Sequence, residues 1–197
     1  MHQLEHSHFI LNKPFGYLSQ FVNNQNRRKN KKLLGELYDF PEGIMAIGRL
    51  DQDSEGLLLL TTDGKTSMEV RSKKVEKEYY AQLDGEITDT ALEQLRCGVE
   101  IGVNGKKYMT LPSLACRLVT APEFSPRTKK IRDSRHGPSC WIAITITEGK
   151  FRQVRKMTAA VGFPTLRLIR VRIGNIELSD LLPGEVRKVP DLLLQQP

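Results

Sequence analysis

Apolar side chains in this chain fall into short runs broken by turn signals, and helical spacing emerges in only two places. Phe9–Leu11 reads as a strand entering Asn12-Lys13-Pro14. Met45–Leu50 and Leu57–Thr61 are apolar runs separated by the polar stretch Asp51–Gly56, and the second stops at the turn signal Asp63-Gly64. Glu78–Leu83 predicts a strand closed by Asp84-Gly85. Thr88–Cys97 has helical spacing: Ala91, Leu92 and Leu95 share a face, Asp89 stands in the first turn, and Gly98 follows the end. Val99–Val103 and Lys106–Met109 flank Asn104-Gly105, a strong hairpin signal. Leu114–Val119 predicts another strand. Ile142, Ile144 and Ile146 alternate with Ala143, Thr145 and Thr147, as in a half-buried strand. A second helix is predicted from about Arg152 to Val161, with Val154, Met157 and Val161 on its apolar face and Gly162 and Pro164 at its end. In Leu166–Ile173, Leu166 and Leu168 share a face with Arg170 and Arg172, so that face turns from apolar to cationic.

Two stretches break this rhythm. Asn23–Lys32, NNQNRRKNKK, has no apolar side chain and predicts a solvated loop. Thr120–Ser139 holds three prolines and the bases Arg127, Lys129, Lys130, Arg132 and Arg135. A loop of that length in a compact domain is usually functional or disordered. The strand-rich pattern with interspersed helices predicts an α+β fold with a mixed, mostly antiparallel sheet.

At 197 residues the chain is one domain or two small lobes, long enough to bury a core without staples. Lys and Arg number 30 against 23 Asp and Glu, a net charge of +7, and the pI is about 9.4. That balance favours a polyanionic partner, of which nucleic acid is the commonest. Cys97, Cys116 and Cys140 are odd in number and form no CxxC pair. They are expected to be small buried hydrophobes of a reducing compartment, not a disulfide framework or a zinc site. Leu57–Leu60 is far too short to span a membrane, and the N-terminus carries no signal-peptide pattern. A cytoplasmic protein without membrane association is therefore expected.

Several familiar chemistries fail residue by residue. Asp51-Gln52-Asp53-Ser54-Glu55-Gly56 begins like a calcium loop, but the twelfth position, which needs a bidentate Glu, is Thr62. Gly64-Lys65-Thr66 ends like a phosphate-binding loop, but Leu59 stands where its first Gly must be. His2, His6, His8 and His136 suggest no catalytic triad, and no Gly-rich dinucleotide fingerprint follows a strand. No metal site is predicted. What remains is Asp51, two residues after Arg49 in an extended segment, so both point to one side. A nearby arginine keeps a carboxylate ionised, fit to act as nucleophile or general base. The same residues also read as a turn-forming aspartate ending a strand, and spacing alone favours that simpler account.

Four ordered segments resemble one family. Gly48-Arg49-Leu50-Asp51-Gln52-Asp53-Ser54-Glu55-Gly56-Leu57 is similar to the catalytic motif of the ribosomal pseudouridine synthases, and Leu11-Asn12-Lys13-Pro14 to their N-K-P segment. Lys77-Glu78-Tyr79 resembles their K-x-Y motif. Glu148-Gly149-Lys150-Phe151-Arg152-Gln153-Val154-Arg155-Lys156-Met157 resembles their E-G-x-x-x-Q-V helix motif. The resemblance runs from about residue 8 to 189. It implies an isomerase that detaches uracil from its ribose, rotates it and rejoins it through carbon, with no metal and no organic cofactor. Asp51 then matches the catalytic aspartate, and Arg49 a residue that seats the flipped nucleotide. Tyr79 matches the aromatic that packs against the target base, Arg155 the basic partner of the aspartate, and Val154 the aliphatic residue beneath the base. Lys13 and Lys77 match positions that are structural or phosphate-facing. Together with Arg152, Lys156, Arg167 and Arg170 they make up the expected RNA contacts.

The N-K-P segment begins at residue 12, which predicts a single catalytic domain over 1–197, two lobes around a central cleft, with no separate N-terminal RNA-binding domain. Leu18-Ser19-Gln20-Phe21, Tyr79-Tyr80, Gly162–Arg170 and Gly184-Glu185-Val186-Arg187 resemble the E-type branch acting on the large ribosomal subunit. That implies one uridine of 23S rRNA as substrate and a monomer as the working form. The excess positive charge is expected around Asp51. Competing accounts are the same reaction at another rRNA site and a non-catalytic rRNA-binding assembly factor. A third is a metal-dependent nuclease using Asp51, Asp53 and Glu55, which a chelator would inactivate.

Overall fold

The computed structural model describes residues 6–22, 31–72 and 75–192. Its elements in chain order are β1 (His8–Lys13), β2 (Met45–Ile47), β3 (Glu55–Thr61), α1 (Gly64–Ser72), β4 (Lys77–Asp84), α2 (Asp89–Cys97) and β5 (Glu100–Val103). There follow β6 (Lys106–Met109), β7 (Leu114–Arg117), β8 (Ser139–Ile146), α3 (Gln153–Ala160), β9 (Thr165–Ile173), β10 (Ile176–Glu177) and β11 (Val186–Val189). The class is α+β, as the pattern predicts. The chain divides into two compact units, Met1–Val75 with Arg172–Pro197, and Glu76–Val171.

In the first unit the four-leucine run explains the architecture. All seven residues of β3 are buried, which only a strand covered on both faces allows. β1 pairs antiparallel with β3 along its whole length, from His8 opposite Thr61 to Lys13 opposite Gly56. β11 pairs antiparallel with the other edge of β1, and β2 pairs with the end of β3. Phe9, Leu11, Leu34, Leu58 and Leu60 form the core, closed by Phe21, Leu37, Phe40 and Val186. Phe40 packs edge-on against both Phe9 and Phe21.

The helix α1 is not foreseen by the apolar pattern. It rests on a cap: Asp63 accepts hydrogen bonds from the Lys65 amide (2.9 Å), the Thr66 amide (3.2 Å) and the Thr66 hydroxyl (2.6 Å). The Thr66 hydroxyl above all, then the Lys65 amide, holds the Asp63 carboxyl down from 3.8 to about 2. A carboxyl depressed in the folded state stabilises it above its unfolded value, and the contribution disappears as pH falls from about 4 towards 2. Asp63→Asn is therefore expected to lower the melting temperature at neutral pH and to flatten its acid limb between pH 4 and 2. Parallel wild-type and variant melting curves over that range would count against the cap.

In the second unit the sheet runs β9-β4-β8-β7. β4 and β8 pair antiparallel over eight residues, and Tyr79, Ala81 and Leu83 are buried opposite Ile144, Ile142 and Cys140. α2 begins one residue after the predicted start, with Thr88 as its cap accepting from the Ala91 amide (3.2 Å), and buries the predicted face of Ala91, Leu92 and Leu95. Asn104 and Gly105 take positive φ (49° and 77°) in the β5–β6 hairpin, as predicted. The Thr120–Ser139 segment is pinned to this sheet: Phe124 packs between Tyr80 and Trp141, and Arg132 pairs with Asp84. β9 departs from simple alternation, because Arg167, Leu168, Ile169 and Arg170 are all buried. Both of its faces are therefore covered. Cys140 is buried, but Cys97 and Cys116 are exposed, which corrects the expectation of three buried thiols. No helix among the described residues is long and apolar enough to cross a membrane.

Candidate active site

Asp51 stands in the turn between β2 and β3. Leu50 is buried while Arg49 on one side is exposed and Asp51 on the other is half-buried, so the two polar residues face away from the core together. The Ser54 amide donates to the Asp51 carbonyl (3.1 Å), closing a four-residue turn. Ser19 grips the residue before it: the Leu50 amide donates to the Ser19 hydroxyl and that hydroxyl donates to the Leu50 carbonyl, both at 2.9 Å. Gly16 and Gln52 make a second two-way tie, Gly16 amide to Gln52 carbonyl (2.8 Å) and Gln52 Nε2 to Gly16 carbonyl (3.1 Å). The segment that follows Asn12-Lys13-Pro14 is thus buckled to the Asp51 turn at two points.

Lys13 anchors that segment. Its side chain is 0% exposed, and Nζ donates to the carbonyls of Tyr17 (2.8 Å) and Pro14 (3.1 Å). A buried ammonium on two carbonyls is a strut in the free protein, the structural one of the two roles that the resemblance implies for Lys13. Lys32 lies over the Tyr17 ring at 5.3 Å. Residues 23–30 of the predicted basic loop lie outside the described residues.

The second unit holds the remaining candidates. Tyr79 is 8% exposed on the inner row of β4. Arg170 from β9 covers its ring at 5.9 Å from the centroid and donates from Nη1 to its hydroxyl at 3.5 Å. Lys77, two residues along on the same face, has its pKa lowered, first by burial and then by the Arg170 charge. Arg167 donates to the Ser125 carbonyl (2.8 Å) and lies over Phe124 at 5.6 Å. Arg167 and Arg170, both expected RNA contacts, are buried in the free protein, with their guanidinium groups against Phe124 and Tyr79 inside this unit. Arg170 remains beside Tyr79.

α3 and its N-cap carry the other four. Val154 is buried. Arg155 is half-buried and donates from Nη1 to the Thr165 carbonyl (3.2 Å). Arg152 caps the helix in a left-handed backbone conformation (φ 54°, ψ 36°) that side chains other than glycine adopt only at a cost. Lys156 donates to the Gly102 carbonyl at 2.7 Å. The structure thus gathers Tyr79, Lys77 and Arg170 at one place, and Val154, Arg155, Arg152 and Lys156 on one helix. Arg49 and Asp51 share a turn of the other unit.

The profile of the RNA pseudouridylate synthase family matches residues 7–160. The chain belongs to this family. A "Ribosomal large subunit pseudouridine synthase E" from Xanthomonas campestris pv. campestris is 43% identical over 180 residues, 90% of this chain and 92% of that protein. One of the same name from Vibrio parahaemolyticus is 43% identical over 182 residues, 91% of this chain and 72% of that protein. A ribosomal small subunit pseudouridine synthase A from Escherichia coli is 32% identical over 191 residues, 93% of this chain and 71% of that protein. A solved pseudouridylate synthase superposes with a TM-score of 0.73 at 28% identity, covering 94% of this chain and 70% of that one.

In this pseudouridylate synthase chain, some residues that shape the site escape a reading of the sequence. Ser19 is one, because its partner is 31 positions away and only the fold brings them together. Glu148 and Gln153 are others. Glu148 accepts from the Tyr108 hydroxyl (2.6 Å) and the Leu111 amide (2.9 Å), and Gln153 Nε2 donates to it at 2.6 Å. These bonds fix the turn that launches α3. Their side chains stand in the quoted motif, but nothing in its spacing reveals what they hold. Among the described residues no three His, Cys, Asp or Glu side chains gather as a metal ion would require.

Proposed function

We propose that this enzyme converts one uridine of 23S rRNA to pseudouridine, with Asp51 as the reacting carboxylate. The observation that carries the substrate assignment is the 43% identity to a large subunit pseudouridine synthase E over 90% of this chain and 92% of that protein. In the proposed reaction the N1–C1′ bond of uridine breaks, the uracil turns, and C1′ bonds to C5. C5 loses a proton and N1 gains one, so composition is unchanged. A paired base is out of reach of any side chain, so the nucleotide is flipped out first. Tyr79 supports the flipped base and Val154 lies beneath it, while Arg49 seats the nucleotide. Arg155 is the basic residue assigned to act with the Asp51 carboxylate. The reaction runs in the cytoplasm, by a single chain and without metal or organic cofactor.

Mapping pseudouridines in 23S rRNA from cells lacking the gene tests reaction and site together. One modification is expected to vanish and to return when the wild-type gene is restored. An unchanged 23S map, with a loss in 16S rRNA instead, would move the substrate to the small subunit.

A further inference from the structure

We propose that the Phe151 ring is a stacking platform for an unpaired base of the RNA, with Lys150 and Lys156 meeting that nucleotide's phosphates. The inference rests on the functional reading for the nature of the ligand. Phe151 is 68% exposed at the tip of the turn between β8 and α3. That tip is rigid. The Lys150 amide donates to Gln153 Oε1 (2.9 Å), the Gln153 amide donates to the Lys150 carbonyl (3.1 Å), and the buried Gln153 is tied in turn to Glu148. A large apolar ring is therefore held out in water by a turn that could not easily fold it away.

Its surroundings are cationic. Between Glu148 and Lys156 the sequence has one acid and four bases. The acid, Glu148, is already engaged by Tyr108, Leu111 and Gln153. Lys156 stands over Phe151 at 5.2 Å from its centroid, fixed there by its bond to the Gly102 carbonyl. Lys150 stands over Tyr108 at 4.7 Å. An aromatic ring backed by one ammonium, with another close in the chain, suits a base on the ring and phosphates on the amines. The four-to-one excess of bases fits a polyanion.

The test is the affinity for deproteinised 23S rRNA of the wild type, Phe151→Ala and Phe151→Trp, measured over a salt series alongside uridine conversion. Phe151→Ala should bind about 5- to 100-fold more weakly, with an unchanged salt slope, because stacking releases no counterions. Phe151→Trp should bind at least as tightly as the wild type. Lys156→Gln should reduce the salt slope by about 0.7–0.9. The ring is exposed, so the melting temperature of Phe151→Ala should match the wild type and exclude misfolding as the cause. Equal affinity of all three position-151 proteins, with conversion intact, overturns the platform and leaves the functional reading standing. That is also the result if the ring serves a protein partner. Weakened binding by Phe151→Ala with no conversion by the wild type supports the platform and removes the functional reading.

Discussion

Asp51→Asn is expected to abolish uridine conversion, by about 10²- to 10⁴-fold or more, while the protein folds and binds RNA as before. The reasoning is local. The bonds that shape this turn from Ser19 and Ser54 run through the backbone of Leu50 and Asp51, and an asparagine keeps the same backbone. Its side chain has nearly the same size but can be neither an anionic nucleophile nor a base. The change therefore removes charge and proton affinity at one point while keeping the backbone bonds that shape the turn. Single-turnover conversion of 23S rRNA, with filter binding and thermal melting as controls, separates these effects. Activity within tenfold of the wild type would remove Asp51 from the chemistry and return it to the part of a turn-forming residue. Weakened RNA binding in step with lost activity would make it a substrate contact instead.

How much of this was legible in the sequence varies with the range of the interaction. Strands built on continuous or alternating apolar residues, such as β3 and β8, follow from local pattern because burial is written into each residue. α1 does not, because GKTSMEVRS has no apolar stripe: Met68 is exposed and the helix depends on the Asp63 cap. β11 is equally faint, since VRKV buries no residue fully and its pairing with β1 joins the two ends of the chain. The position of Asp51 was visible through resemblance. The Ser19 clamp beneath it was not, since a serine carries no sign of which distant amide it will meet. The arginines of β9 were legible only in part for a related reason. Alternation places Arg170 on a cationic face but cannot tell that Tyr79 fills the space above it.

Lys13 is where the ordinary expectation for a residue type fails most clearly, and there the second large effect is expected. Lysines are seldom fully buried. Here the ammonium satisfies two carbonyls, and the segment it holds carries Gly16 and Ser19, the two residues tied to the Asp51 turn. Lys13→Met keeps most of the side-chain volume and removes the donor, leaving the Pro14 and Tyr17 carbonyls to lose a charged partner. A loss of about 2–5 kcal/mol follows, or a melting temperature lower by roughly 5–15 °C in a chain of this size. Lys13→Arg is no rescue, because a planar guanidinium needs more room than a fully buried site of this shape gives it. Well below the melting point, conversion by Lys13→Met should fall further than RNA affinity does, since what loosens is the support of Asp51. Salt dependence then distinguishes a strut from a phosphate contact. Removing a phosphate contact lowers the slope of log affinity against log salt by about 0.7–0.9, whereas removing a buried strut leaves it alone. A wild-type melting temperature combined with a flattened slope would place Lys13 on the RNA after all and would require the segment after β1 to open in the complex.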